Sequence, residues 1–411
     1  MKLRLERSLE DWSKEAGYKY ISGQTCSDLD ILKANCSMKK LQAYGYGTAA
    51  SISAASFYGH TLEHSFCLAT NLRVLCWYWP SGDKIVFPIN TEGSIYIGNS
   101  PEFWFNYYPF LRREDGQHVY TCSLEEVSFN PQVMALQRAV PLYIGGQTHF
   151  GHFIVDKFAH LCTLFYGNQA MTDFGAFIIP PGHTEVTQDL LKFLWSLLHK
   201  SQSLSSVDRI NQFCSFELPA VNSIVSVGTA WVPADNHRPD CLQVANLALH
   251  APALPKKHTI TIAGHRSSLR PKAAYISRFP IESESHDRIA NYATFKCLLD
   301  KLHVDHLFPY PLSLQARIEL LSQYELIISD SGSCVLNGLL FASPDAKVYQ
   351  IQGQRLLNDK TELATSQHYK ILPLVGNRLF SLPCELASLS EANSWYDKVN
   401  VDLDLLRKLV R

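Results

Sequence analysis

The chain has 411 residues, 46% hydrophobic and 18% charged, which is enough apolar material for more than one core and too long for one ordinary domain. Its formal net charge of −1 leaves no global basic footprint, which argues against nucleic acid bound by bulk electrostatics and leaves only local basic patches. The eleven cysteines include no C-x-x-C pair and are odd in number, which argues for reduced, buried thiols rather than a disulfide framework or zinc ribbon.

The opening segment, MKLRLERSLEDWSKEAG, is charged and amphipathic and lacks the apolar centre of a signal peptide. No window reaches the roughly 18 to 20 uncharged apolar residues of a transmembrane helix, since even LLKFLWSLL carries Lys192. A cytoplasmic protein without a transmembrane segment is expected. Peripheral membrane contact stays open through the basic run of residues 256–272, which could also attract an anionic polysaccharide or serve as a solvated linker.

Up to about residue 140 the runs LRVLCWYWPSG, KIVFPIN and GSIYIGN predict short strands in a partly antiparallel lead-in. Residues 60–64, HTLEH, match the H-x-x-E-H zinc pattern, but strand-like sequence follows and no third ligand is evident, so chance is the better explanation. The aromatic run EFWFNYYPF, residues 102–110, suits core packing better than stacking on sugar rings. From Pro141 the pattern changes to strand and helix in alternation: PLYIGG, HFIVDKFAHLCTLFYG, FGAFIIPPG, TQDLLKFLWSLLHK, NSIVSVG. The proline-containing APALPKK, residues 251–257, predicts a linker. Alternation then resumes with strands at KAAYISR, VDHLFPY, ELIISD and AKVYQIQG. Helices fall at HDRIANYATFKCLLDKL, LSLQARIELLSQ and CVLNGLLFA.

The expected architecture is therefore α/β, with two Rossmann-like domains facing a cleft. A first domain would span 1–255, with its β-rich lead-in over 1–140, and a second would span 256–385. The tail EANSWYDKVNVDLDLLRKLVR, 386–411 with its flank, reads as a helix packing back on the first domain.

Several blocks carry a resemblance. YISR, DRIAN, LSLQARIELLSQYELIISDSGSCVLN and KVYQI, in that order, resemble the C-terminal half of glycosyltransferase family 61, and GGQTHFGHFIVDKFAHL is similar to its first-domain helix with a histidine and, four residues on, an acid. Together they cover about half of the chain. The resemblance implies a two-domain GT-B fold, a nucleotide-sugar donor (commonly UDP-linked), a glycan or surface-polysaccharide acceptor, inversion at the anomeric carbon, and no cofactor or obligatory metal. This sequence departs from the family pattern at Ser331-Gly332, where a His-Gly pair is usual, at His149, where an Asn is common, and at Gln350, where a Glu is usual. A non-catalytic glycan- or nucleotide-binding relative is the alternative.

A donor pyrophosphate needs fixed positive partners, because negative charge grows on it as the leaving group departs. Micromolar binding requires about 8 kcal/mol, whereas a helix N-terminus supplies only about 0.3 to 1 kcal/mol. The turn Ser331, Gly332 and Ser333 therefore calls for arginines, and Arg278 at the carboxyl end of its strand and Arg288 are the candidates. Asn337, one turn into the next helix, either joins this donor site or packs the helix. Asp330 would repel phosphate and is expected to turn away and cap the helix. In the first domain, His152 and Asp156 lie four apart on one helix face, so either could be the general base with the other as its orienting partner; the resemblance implies Asp156 as the base. A serine hydrolase reading at Ser331 or Ser333 lacks the G-x-S-x-G elbow.

Overall fold

The computed structural model describes residues 2–6, 8–21, 25–26, 62–63, 65–78, 84–96, 111–113, 120–123, 132–141, 150–159, 161–162, 175–179, 184–198, 215–217, 223–234, 242–250, 272–280, 286–330, 332–353, 378–388 and 398–411. They form an α/β protein with mixed sheets, and the chain divides into two compact units, one of Met1–Thr25 with Leu62–Arg238 and one of Cys26–Thr61 with Pro239–Arg411.

The first unit is built on an eleven-stranded sheet. Its elements run β1 (Lys2–Glu6), α1 (Leu9–Glu15), β2 (Lys19–Ile21), β3 (Phe66–Tyr78), β4 (Lys84–Ile89), β5 (Ser94–Tyr96), β6 (Leu111–Arg113), β7 (Tyr120–Ser123), β8 (Gln132–Pro141), α2 (Phe150–His152), β9 (Phe177–Ile179), α3 (Glu185–Leu198), β10 (Ser215–Glu217) and β11 (Ser223–Pro233). The spatial order is β10-β9-β8-β11-β3-β4-β5-β1-β7-β6, with β2 beside β3. The strands β8 to β11 pair in parallel, whereas β11, β3, β4 and β5 pair antiparallel. The expected partly antiparallel lead-in is thus present, with β1 parallel to β5, and it continues the same sheet as the parallel strands. Alternation along β11 sets its faces: Val225 and Val227 are buried while Ser226 is exposed. Helix α3 presents Val186, Leu190, Leu191, Leu194 and Trp195 at helical spacing, and Trp195 meets Phe177 of β9 edge-on with centroids 5.7 Å apart. Helix α2 continues as a π-helical turn over Phe153–Phe158, which buries Phe153, Ile154 and Phe158.

The second unit contains α4 (Leu242–His250), β12 (Ala273–Ile276), α5 (Tyr292–Lys301), β13 (Asp305–Leu307), α6 (Leu314–Leu321), β14 (Leu326–Ser329), α7 (Ser333–Phe341), β15 (Lys347–Gly353), β16 (Leu379–Ser388), β17 (Lys398–Asn400) and α8 (Leu403–Val410). The sheet order is β13-β12-β14-β15-β16-β17. All neighbours are parallel except the edge pair β16 and β17. Every residue of β12 and β14 is buried, as strands covered on both faces require. One face of the sheet carries a core of Tyr275, Phe295, Ile328, Ile351, Leu406 and their neighbours. The other face carries α7, whose Gly338 sits so close that a Cβ there would lie 3.2 Å from Val348 and 3.3 Å from Ile327.

Two expectations about domain organisation are corrected. The boundary lies before α4 rather than at residue 255, because Asn246 of α4 donates to the Leu340 and Ala342 carbonyls at 2.8 and 2.9 Å and accepts from Arg378 at 3.0 Å. Arg378 also donates to the Leu339 and Ser343 carbonyls, so the two side chains close the carbonyl end of α7. The tail is not one helix packing on the first domain. It divides into β17 and α8, where Asp402 caps the Asp404 and Leu405 amides, and Leu406 and Val410 are buried in the second unit's core. The expected linker, residues 251–257, lies outside the described residues.

Candidate functional site

In chain order the parallel strands of the second sheet are arranged 2-1-3-4-5, so the connections leave β12 and β14 in opposite directions and open a crevice at their carboxyl ends. Two loops meet there. One follows β12 with Ser277, Arg278 and Phe279; the other follows β14 with Asp330 and Gly332 and leads into α7.

Gly332 occupies the N-cap of α7 with φ 92° and ψ −144°, and no side chain caps the helix. That backbone conformation is available almost only to glycine. A Cβ at this position would lie 4.0 Å from Arg278 Nη2 and 4.0 Å from Arg288 Nη1, so both guanidinium groups converge on the side where the loop presents only a hydrogen. Arg278 also has Asp287 at 3.7 Å, a loose and partly exposed ion pair worth about 0 to 1 kcal/mol, too little to hold the guanidinium against a stronger anion.

Beneath the arginines lies a buried polar network. The Asp330 carboxylate accepts from Tyr275 Oη at 2.6 Å, from the Arg278 amide at 3.1 Å and from His286 Nε2 at 2.9 Å. The other imidazole nitrogen, Nδ1, accepts from the Arg288 and Ile289 amides at 3.1 and 3.2 Å. Two amide donors on Nδ1 assign the ring proton to Nε2, which therefore donates to Asp330. Both side chains are nearly sealed from solvent, and the carboxylate is held by three donors rather than left unpaired. Burial, and then the adjacent carboxylate, push the Tyr275 phenol well above its ordinary range, so it remains a donor. Burial also pushes the Cys334 thiol, in the first turn of α7, up to about 12, which makes it inert as a nucleophile.

The structure thus brings together Arg278, Arg288 and Gly332, with Ser333 opening α7 beside them. Ser331 lies outside the described residues. Asn337 does not join this site: it is fully buried, its Oδ1 accepts from Arg317 Nη1 at 3.1 Å and its Nδ2 donates to the Ser333 carbonyl at 3.3 Å, so it packs the helix. Asp330 does not cap α7 either, because its carboxylate points to Tyr275, His286 and the Arg278 amide. His152 ends α2 and Asp156 lies in the π-helical turn, but their side chains lie outside what is described. Leu62 and Glu63 of the HTLEH segment are extended, whereas the zinc pattern needs a helix; the rest of that segment and residues 102–110 lie outside the described residues. Among the described residues no three His, Cys, Asp or Glu side chains are grouped as metal ligands, and no helix is long and apolar enough to cross a membrane.

His286 and Tyr275 were not anticipated as site residues. A signal existed for Tyr275, since a tyrosine in a strand buried on both faces must find a partner for its hydroxyl. His286 offered none, because its partner lies 44 residues away.

A scan of the chain against protein-family models matched none, and a search of curated proteins found no match either.

Proposed function

We propose that the chain is an inverting glycosyltransferase of GT-B type, which transfers a sugar from a nucleotide-linked donor, UDP-linked in the commonest form, to a hydroxyl of a glycan or surface polysaccharide. The observation that supports this reading is the convergence of Arg278 and Arg288 on the uncapped start of α7 at the crevice of a parallel sheet. The motif resemblance supports reading this anion site as one for a sugar nucleotide.

Two charge-assisted hydrogen bonds contribute about 1.5 to 3 kcal/mol each, and the helix end about 0.3 to 1 kcal/mol. Together they supply about 3 to 7 of the roughly 8 kcal/mol of micromolar binding, and contacts to base and ribose supply the remainder. In transfer, the acceptor oxygen forms its bond to the anomeric carbon as the bond from that carbon to the phosphate oxygen breaks. The nucleoside diphosphate leaves with the electron pair, and its growing charge is met by Arg278 and Arg288. The hydroxyl proton passes to Asp156, oriented by His152.

Calorimetric titration with UDP, GDP, CMP and TDP, with and without a chelator, tests the donor half. Selective, chelator-insensitive binding of one nucleotide is expected, and binding of none overturns the reading. Asp156→Asn tests the catalytic half: donor affinity should stay within a factor of about three while transfer is lost. Near-normal turnover would remove Asp156 from the mechanism.

A further inference from the structure

We propose that His286 and Asp330 are positioning residues of the anion site. They act through the backbone of the two arginines rather than by touching the ligand, and the inference rests on the reading of Arg278 and Arg288 as that site.

One carboxylate reaches both arginine backbones. Asp330 Oδ2 takes the Arg278 amide directly at 3.1 Å and His286 Nε2 at 2.9 Å. The second bond holds the imidazole with its proton on Nε2, so that Nδ1 is an acceptor for the Arg288 amide at 3.1 Å and the Ile289 amide at 3.2 Å. The chain Arg278 amide, Asp330, His286, Arg288 amide therefore ties two loops that are separated in sequence into one frame. Ring contacts fix the imidazole within it: Phe279 meets it edge-on at 5.0 Å and Tyr292 lies at 5.2 Å, on opposite sides in sequence. Ile289, whose amide shares Nδ1, is anchored in the core of the sheet and bridges to Val399 of the edge strand. The segment carrying Arg288 is thus fixed at its backbone, and its guanidinium is aimed at Gly332.

The arrangement also answers why a carboxylate stands next to a site that must hold phosphate. A bare Asp330 would repel the ligand, but its oxygens are turned to the Tyr275, His286 and Arg278 amide donors beneath the loop, and the charge at the site comes from Arg278 and Arg288. Such a carboxylate sets geometry, and geometry decides how much two arginines can do for a diphosphate.

The test separates the two bonds of the imidazole. His286→Gln places an amide nitrogen near Nε2 and retains a donor to Asp330 while removing the acceptor for the Arg288 amide; His286→Asn places an oxygen near Nδ1 and retains that acceptor. Affinity for inorganic pyrophosphate is measured calorimetrically in the wild type, in both variants, in Arg288→Ala and in His286→Gln combined with Arg288→Ala, with thermal melting of each. The expected result is that His286→Gln weakens binding about tenfold and His286→Asn by less than about threefold, while His286→Gln changes nothing further once Arg288 is alanine. A merely structural histidine would lower the melting temperature and would weaken binding by the same factor in both backgrounds, which overturns the inference and leaves the arginine site standing. If His286→Gln fails to fold, the same cycle is run with Asp330→Asn and Arg278→Ala, and equal losses in both backgrounds again overturn it. If the wild type binds neither pyrophosphate nor any nucleoside diphosphate, the anion site itself fails and this inference falls with it.

Discussion

Replacing Gly332 by alanine separates the conformational role of this glycine from its role at the arginine cradle. At φ 92° and ψ −144° an L-residue is strained, and such positions cost about 1 to 3 kcal/mol. No clash adds to that cost, since the nearest atoms to the new methyl are Arg278 Nη2 and Arg288 Nη1 at 4.0 Å, an ordinary contact distance. The methyl would instead occupy the space between two guanidinium groups and the helix start, where the anion is expected. Loss of one charge-assisted bond, about 1.5 to 3 kcal/mol, weakens binding about 10- to 150-fold. Gly93 and Gly17 provide the comparison: both have positive φ, at 85° and 67°, and nothing within 4 Å of an added Cβ. Alanine at Gly93 should lower the urea midpoint and leave pyrophosphate affinity unchanged, whereas alanine at Gly332 should lower both. A folded Gly332→Ala protein with wild-type affinity would refute the cradle as the phosphate site.

Asn337→Ala should lower stability by about 1.5 to 3 kcal/mol, because it leaves a buried guanidinium nitrogen of Arg317 without its acceptor, and should leave nucleotide affinity unchanged; a loss of affinity with unchanged stability would return this residue to the ligand. Acidification should destabilise the second unit. Burial, and then the charge of Arg378, lower the His250 pKa below its ordinary 6.5, so the unfolded chain takes up the proton first as pH falls. His306 shifts in the same direction, through burial and then Lys296. The stability due to the neutral rings is complete above pH 6.5 and is lost as the pH falls through 6.5 towards the folded-state values. Urea midpoints at neutral and mildly acidic pH should show this fall, and a shallower one in His250→Asn; an unchanged slope would exclude His250 as a contributor.

The parts of the fold that could be read from sequence are those whose physical signal is local. ELIISD, KAAYISR and AKVYQIQG announced β14, β12 and β15 because strands buried on both faces are nearly continuous apolar runs. β16 and β17 gave no such signal: β16 contains Pro383, and β17 is three residues long with both ends exposed. The tail reads as one helix because its apolar and charged residues are mixed throughout, although Asp402 two residues before Asp404 marks a cap inside it. At the site, Arg278 was accessible because a residue at the end of an interior strand has a known place in the sheet. Asn337 was not, because what decides its role is Arg317, 20 residues away on another helix. The Tyr275, Asp330 and His286 network joins partners 44 and 55 residues apart, a distance over which periodicity carries no information.

A large cavity in the second unit, about 630 Å³, lies at the wrong end of the sheet for a phosphorylated ligand. Tyr324, Glu325, Asp345, Lys347 and Tyr349 line it, at the amino ends of β14 and β15. Ser343, just past the carbonyl end of α7, lines it as well, so the helix dipole there is negative, and Glu325 and Asp345 add two carboxylates against the single Lys347. The crevice at the other end of the same strands has the opposite electrostatics: the start of α7 with Arg278 and Arg288, and Asp330 buried among its hydrogen-bond donors. Charge favours the crevice, and for a diphosphate charge decides, because the binding free energy depends on fixed cationic donors, two of which converge in the crevice against one lysine in the cavity lining. Lys347→Ala should therefore leave pyrophosphate affinity within about twofold, while Arg278→Ala weakens it about 10- to 100-fold. The reverse pattern, loss with Lys347→Ala and none with Arg278→Ala, would move the anion to the amino edge and remove the switch-point geometry from its binding.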